Sequence, residues 1–174
     1  MFPTLHGKPS APLPPDIRRV LLGTDLGHTT ALATDRAFDL ARRHGAELLV
    51  VSVIDPTDMH QQPGGVGIRW DEVRDRRHDA AQALVARGRA VGVTVSFLVW
   101  TGDPGESIVS AAEAEDVDLV VVGTHGRGTI GRLLLGSVSE HVVRNAPCPV
   151  LVIRPASGPA GPAGPARGGL PTTA

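Results

Sequence analysis

Five short apolar runs rich in valine recur along this chain with helix-like segments between them, and that alternation restricts the fold more than any other feature. The runs fall at residues 19–22, 48–54, 93–100, 119–122 and 150–153. Most of their positions are apolar, as in strands covered on both faces. The intervening segments repeat apolar residues at helical spacing. Ala33, Ala37, Leu40 and Ala41 mark a first helix, while Val73, Ala80, Ala81, Leu84 and Val91 mark a second whose stripe Arg77 and Gly88 interrupt. A third helix has a clear start, with Asp103 as N-cap, Pro104 in the first helical position and Glu106 three residues after the cap. Ile108, Ala111 and Ala112 give it an apolar face, and Leu135, Val138 and Val142 do the same for a fourth. Alternation of this kind predicts an α/β fold: an open, five-stranded parallel sheet with right-handed crossovers and helices on both faces. The connection 55–69, with Pro56, Pro63, Gly64, Gly65 and Gly67, reads as a long loop.

One connection carries chemistry. Val120-Val121-Val122 runs into Gly123-Thr124-His125-Gly126, and Gly136-Ser137 follows nine residues after Gly126. A buried strand passing through glycines to a helix start can aim backbone N–H groups at a phosphate. The glycines permit close approach where a Cβ would block it, and Ser137 adds a hydroxyl donor. In an open parallel sheet, ligands sit outside the carboxyl ends of the strands where connections diverge. The first strand ends in Gly23-Thr24-Asp25 and the fourth in Gly123, so these are the candidate walls of a crevice. Asp25 also has a purely local reading as a turn or helix-cap aspartate.

At these residues the sequence resembles the universal stress proteins, in their ATP-binding branch. The family motif of Gly, two residues, Gly, nine residues, Gly and Ser or Thr falls on Gly123, Gly126, Gly136 and Ser137. The stretch from Asp116 to Arg154 is similar to the family's C-terminal third, and Arg18-Arg19-Val20-Leu21-Leu22-Gly23-Thr24-Asp25 to its first strand. The resemblance implies an adenine nucleotide alpha hydrolase-like sheet in the order 3-2-1-4-5. It implies that Gly23, Thr24 and Asp25 lie at the nucleoside, with Val53 against the base and Val122 and Gly123 on the nucleoside side. Gly126, Arg127, Gly136, Ser137, Val138 and Ser139 would surround the phosphates. The implied ligand is ATP, or ADP or AMP, with Mg²⁺ riding on the phosphates. The implied role is a nucleotide-dependent regulator or sensor in stress response with slow or no hydrolysis, and the implied assembly is a homodimer through the strand Val150–Ile153. Two alternatives stand beside it. One is a nucleotide-free dimeric interaction module of the same fold. The other is an ATP-using enzyme of a related adenine-binding α/β fold, against which stands the lack of a Ser-Gly-Gly loop after the first strand.

Composition narrows the field. The chain has 174 residues and a formal net charge of −1, and Lys8 is its single lysine beside dispersed arginines. A phosphate-tracking nucleic-acid surface is not expected. No apolar run reaches membrane-spanning length, and the first residues lack the continuous apolar segment of a signal peptide, so a cytoplasmic protein is expected. The single cysteine, Cys148, excludes an internal disulfide and reads as a small hydrophobe between prolines. Residues 1–15 and 156–174 are rich in Pro, Gly and Ala and read as flexible tails around one domain at 16–155.

Sharper motifs are weaker. Gly126-Arg127-Gly128-Thr129-Ile130-Gly131 fits a dinucleotide fingerprint, with Arg154 near the ribose-selecting distance, but it follows the fourth strand and not the first. A Walker A loop needs a lysine that is not there. Phosphate must be held by backbone and hydroxyls, with Arg127 and Arg132 as further candidates that read equally well as solvated side chains. Ser137 and His141 are four apart on one helix face, yet no third member of a triad or nucleophile elbow accompanies them. Asp55, Asp58 and His60 come closest to a metal set and read as solvated loop residues.

Overall fold

The computed structural model describes residues 16–27, 30–57, 70–124 and 135–154. The tails assigned from composition and most of the loop 55–69 lie outside them. Nine elements follow in order: β1 (Arg19–Gly23), α1 (Ala31–His44), β2 (Glu47–Ile54), α2 (Trp70–Val91), β3 (Val95–Thr101), α3 (Pro104–Ala114), β4 (Leu119–Gly123), α4 (Ser137–Asn145) and β5 (Val150–Ile153). All sheet pairings are parallel, and the strand order is β3-β2-β1-β4-β5.

Alternation along each strand sorts side chains between two helix layers. Val20, Leu22, Leu48, Val50 and Val121 pack with Ala33, Ala37, Phe38 and Ala41 of α1 and with Leu84 of α2. Leu21, Leu49, Val51, Val53, Val120 and Val122 pack with Ile108, Ala111 and Ala112 of α3 and Val142 of α4 on the other side. Both faces of β1 and β4 are therefore covered, which explains why their runs are continuous in valine and leucine. Each such side chain fully withdrawn from water contributes about 1.5–3 kcal/mol before the entropy of ordering it is subtracted.

Helix ends follow their sequence signals. Gly45 (φ 64°) closes α1 in the left-handed conformation. Asp103 caps α3 as expected, its Oδ1 accepting from the Glu106 N–H at 2.8 Å, with Pro104 at the start.

Two features of α2 and β3 differ from the sequence pattern. β3 begins at Val95, not Val93, because the Val93 N–H donates to the Gly88 carbonyl at 2.9 Å and so finishes the end of α2, past Gly92 at φ 74°. The two residues that interrupt the α2 stripe also both have inward partners. Arg77 donates to the fully buried Ser52 hydroxyl at 2.7 Å, and a Cβ on buried Gly88 would collide with Val95 and the Val93 carbonyl.

A clasp joins the amino ends of β1 and β4. Asp118 Oδ2 accepts the Arg18 and Arg19 N–H groups at 2.8 and 2.9 Å, across 100 and 99 residues of sequence. The Arg19 guanidinium reaches the Glu115 carbonyl at 2.6 Å and the Glu47 carboxylate at 3.2 Å.

Candidate functional site

β1 and β4 lie side by side, with Gly23 opposite Val122, and their carboxyl ends open where the chain departs in opposite directions. From β1 it turns into α1 on one face; the segment after β4 returns to α4 on the other. This is the switch point that the order β3-β2-β1-β4-β5 creates.

The two strand-ending glycines are not equivalent. A Cβ on Gly23 would sit 2.7 Å from Ile108 Cδ1 and 3.1 Å from Val122 Cγ1, so core packing accounts for this glycine. A Cβ on Gly123 would meet nothing closer than Ala33 Cβ and Thr30 Cγ2, both at 3.9 Å, among the described residues. None of the described residues comes close enough there to demand a glycine.

The turn after β1 is tied to itself. Asp25 Oδ1 accepts the Gly27 N–H at 2.8 Å and the Thr30 hydroxyl lies 3.1 Å away. Thr24 accepts the Leu26 N–H at 2.9 Å and shares a hydrogen bond of 2.8 Å with Thr30. These bonds hold Leu26 at φ 57°, a conformation that costs a non-glycine residue energy. The local reading of Asp25 as a turn aspartate is thus realised through one oxygen, while Oδ2 makes no hydrogen bond among the described residues. Thr24 and Thr30 are buried, and the Thr24 N–H pairs with the Val51 carbonyl at 3.0 Å. Sequence reasoning passed over Thr30. A hydroxyl residue just before an apolar helical stripe was the available signal.

Across the crevice, the Gly136 N–H donates to the Thr124 carbonyl at 3.2 Å, which fixes the start of α4 beside the end of β4. Gly136 is the N-cap and offers no side chain, so the N–H groups of the first turn, on Ser137, Val138 and Ser139, have no side-chain cap. Ser137 is exposed and Val138 half-buried. Ser139 is 3% exposed, and its hydroxyl donates to the Gly123 carbonyl at 2.5 Å. That hydroxyl is committed to holding helix against strand. Val53 (8% exposed) and Val122 (2%) lie one residue before the ends of their strands, on the α3 and α4 side, as core residues. Gly126, Arg127 and Arg132 lie outside the described residues, as do Asp58, His60 and the whole G-x-G-x-x-G stretch.

Other candidates take structural positions. His141 lies against α3, where a Cβ on Gly105 would come within 2.9 Å of its Cβ and Cγ. Its ring belongs to the contact between α3 and α4. Cys148 is half-buried, and burial, then the nearby Asp118 charge, raises its thiol pKa. Among the described residues no cluster of His, Cys, Asp or Glu could hold a metal ion, and no helix is long and apolar enough to cross a membrane.

Comparison with known proteins adds an independent observation: the sequence model described as "Universal stress protein family" matches residues 16–154. This chain belongs to the universal stress protein family. A universal stress protein encoded beside a sulfhydrylase gene in Thermus aquaticus is 39% identical over 140 residues, covering 79% of this chain and 98% of that protein. Universal stress protein UspA from Lactobacillus plantarum superimposes with a TM-score of 0.65 at 26% identity, over 80% of this chain and 99% of that one. A universal stress protein solved in complex with cAMP gives 0.60 at 26% identity, over 80% and 98%. The sheet order and helix layers are those of the adenine nucleotide alpha hydrolase-like fold that universal stress proteins share.

Proposed function

We propose that this universal stress protein binds an adenine nucleotide, ATP first among them, across the carboxyl ends of β1 and β4. Its role is that of a nucleotide-dependent regulator in stress response, with hydrolysis slow or absent. The observation that carries the reading is the pairing of an unexplained glycine at Gly123 with the side-chain-free cap of α4 at Gly136. Together they provide open backbone beside a helix start, which suits an anion. A relative in complex with cAMP supports the ligand class.

In this reading Asp25 Oδ2 receives a ribose hydroxyl while Oδ1 keeps the turn, and Val53 and Val122 border the base and sugar. The N–H groups of Ser137, Val138 and Ser139 and the Ser137 hydroxyl face the phosphates, joined by Gly126 and Arg127. Gly23, Thr24 and the Ser139 hydroxyl shape the crevice without touching ligand. When bound, Mg²⁺ would ride on the phosphates, since no carboxylate pair among these residues would cage it. None of the described residues at the crevice is an evident general base, which is the reason for proposing slow hydrolysis.

Homodimerisation through β5 belongs to the same proposal. β5 is a sheet edge, and its Leu151 is 37% exposed. Antiparallel pairing of two copies about a two-fold axis would cover both edges at once. The single cysteine supports a cytoplasmic setting.

Denaturing the purified protein and identifying any released nucleotide tests the central claim. Calorimetry with ATP then compares the wild type with Gly126→Ala and Gly136→Ala. Binding should be lost in variants that keep the apo melting temperature, and wild-type affinity in a folded double variant would overturn the assignment.

A further inference from the structure

A second cleft lies between α1 and α2, on the opposite side of the sheet from α4. It is open to solvent, offers about 190 Å³ and is lined by Leu26, Ala80 and Leu84 on its apolar side and by Thr34, Asp35 and Arg87 on its polar side. That volume is below the roughly 300 Å³ at which pockets for drug-sized ligands begin, and suits a molecule of fewer than about ten non-hydrogen atoms.

The polar wall is set in place. Arg87 Cζ lies 4.3 Å from the centroid of the Phe38 ring, and one of its terminal nitrogens pairs with Asp35 Oδ1 at 2.8 Å, the two side chains being 42% and 59% exposed. Arg87 Nε and its other terminal nitrogen have no hydrogen-bond partner among the described residues, and neither has Asp35 Oδ2. The pair therefore keeps guanidinium donors and a carboxylate oxygen available beside an apolar floor. A carboxylate suits the guanidinium, an ammonium suits the oxygen, and a short aliphatic group suits Leu26, Ala80 and Leu84. A free carboxylate alone would meet Asp35, and an amine alone would meet Arg87; a zwitterion meets neither repulsion.

We infer that the cleft between α1 and α2 binds a small apolar α-amino acid, its carboxylate on Arg87, its ammonium on Asp35 and its side chain between Leu26 and Leu84. The site shares the turn of Gly27 and Thr30 with the β1 side of the nucleotide crevice, and needs no nucleotide to be tested.

The test is methyl NMR of the full chain with labelled leucines, titrated with L-valine. Saturable shifts of the Leu26 and Leu84 methyl signals are expected, with 3-methylbutanoate, which lacks the ammonium, bound roughly tenfold or more weakly for loss of a charge-assisted contact. Arg87→Gln should weaken L-valine binding by at least about the same factor, for loss of the charge that meets the carboxylate. Ala80→Leu, which fills the floor with an apolar group, should abolish the shifts in a protein that melts as the wild type does. Absence of saturable shifts with L-valine on the order of 10 mM, which corresponds to under about 3 kcal/mol of binding, would overturn the inference. Equal binding of 3-methylbutanoate, or undiminished binding in folded Ala80→Leu, would overturn it as well.

Discussion

Gly23 and Gly123 end neighbouring strands, yet opposite outcomes are expected when each is changed to alanine. Gly23→Ala forces a methyl against Ile108 Cδ1 at 2.7 Å and should cost about 1–3 kcal/mol of stability in denaturant unfolding. Gly123→Ala should leave stability within about 0.5 kcal/mol while weakening ATP measured by calorimetry. Equal stability losses would mean that the open space at Gly123 is not real. The two serines of α4 divide in a similar way. Ser139→Ala removes a buried bond to the Gly123 carbonyl and should cost about 1 kcal/mol of folding stability, whereas Ser137→Ala should cost about that much in nucleotide affinity and little in stability. At Cys148 burial raises the thiol pKa above its unfolded value. The folded state then holds the proton longer than the unfolded one, so its contribution to stability is intact below the ordinary thiol pKa and is lost as pH rises through the raised one. Melting curves of wild type and Cys148→Ala should accordingly converge or cross only on the alkaline side, and alkylation of the native thiol should lag that of the unfolded chain. At this scale the sequence disclosed that Gly23 and Gly123 end two strands, because strand ends and glycines are local patterns. It did not disclose which atoms are already engaged. Asp25 Oδ1 and the Ser139 hydroxyl are used within the protein, and only three-dimensional proximity across Gly27, Thr30 and Gly123 shows it.

Among the elements, α2 was the hardest to read correctly. Arg77 and Gly88 look like breaks in an apolar stripe, but a guanidinium can pair with a buried serine on β2, and a missing Cβ can let a helix settle onto β3. Neither partner is near in sequence. Gly88→Ala should therefore behave as a core substitution in spite of the better helix propensity of alanine: destabilisation of about 1–3 kcal/mol is expected, against a gain of up to about 1 kcal/mol if the position were merely helical. Urea unfolding separates the two by sign. By contrast α3 was legible from start to finish, since its cap, its proline and its apolar face all act within a few residues of one another. Asp103→Ala should cost about 1 kcal/mol in the same measurement. The start of β3 was misplaced by two residues because Val93 satisfies the last turn of α2, a role that a valine-rich run does not reveal.

For the whole molecule, periodicity indicated a parallel sheet, but the order β3-β2-β1-β4-β5 came from family resemblance, because every strand is apolar on both faces and none announces its neighbours. The order leaves β3 and β5 as edges. If β5 pairs with its own copy, Leu151→Pro should convert the dimer to monomers or aggregates in sedimentation velocity, since proline removes a ladder donor. A wild-type monomer at micromolar concentration would refute that assembly and leave the nucleotide crevice standing. The clasp of Asp118 on Arg18 and Arg19 has a kinetic counterpart. β1 joins β2 across 28 residues between Arg19 and Glu47, but reaches Asp118 across 99. Closing the longer loop costs about 1 kcal/mol more entropy, so β1, β2 and β3 can assemble while the second half of the chain is still unstructured. The crevice between β1 and β4 then appears only with the last long-range pairing. A nucleotide that needs both strand ends would select the finished protein from its folding intermediates, and amide protection in β4 during refolding should lag that in β2.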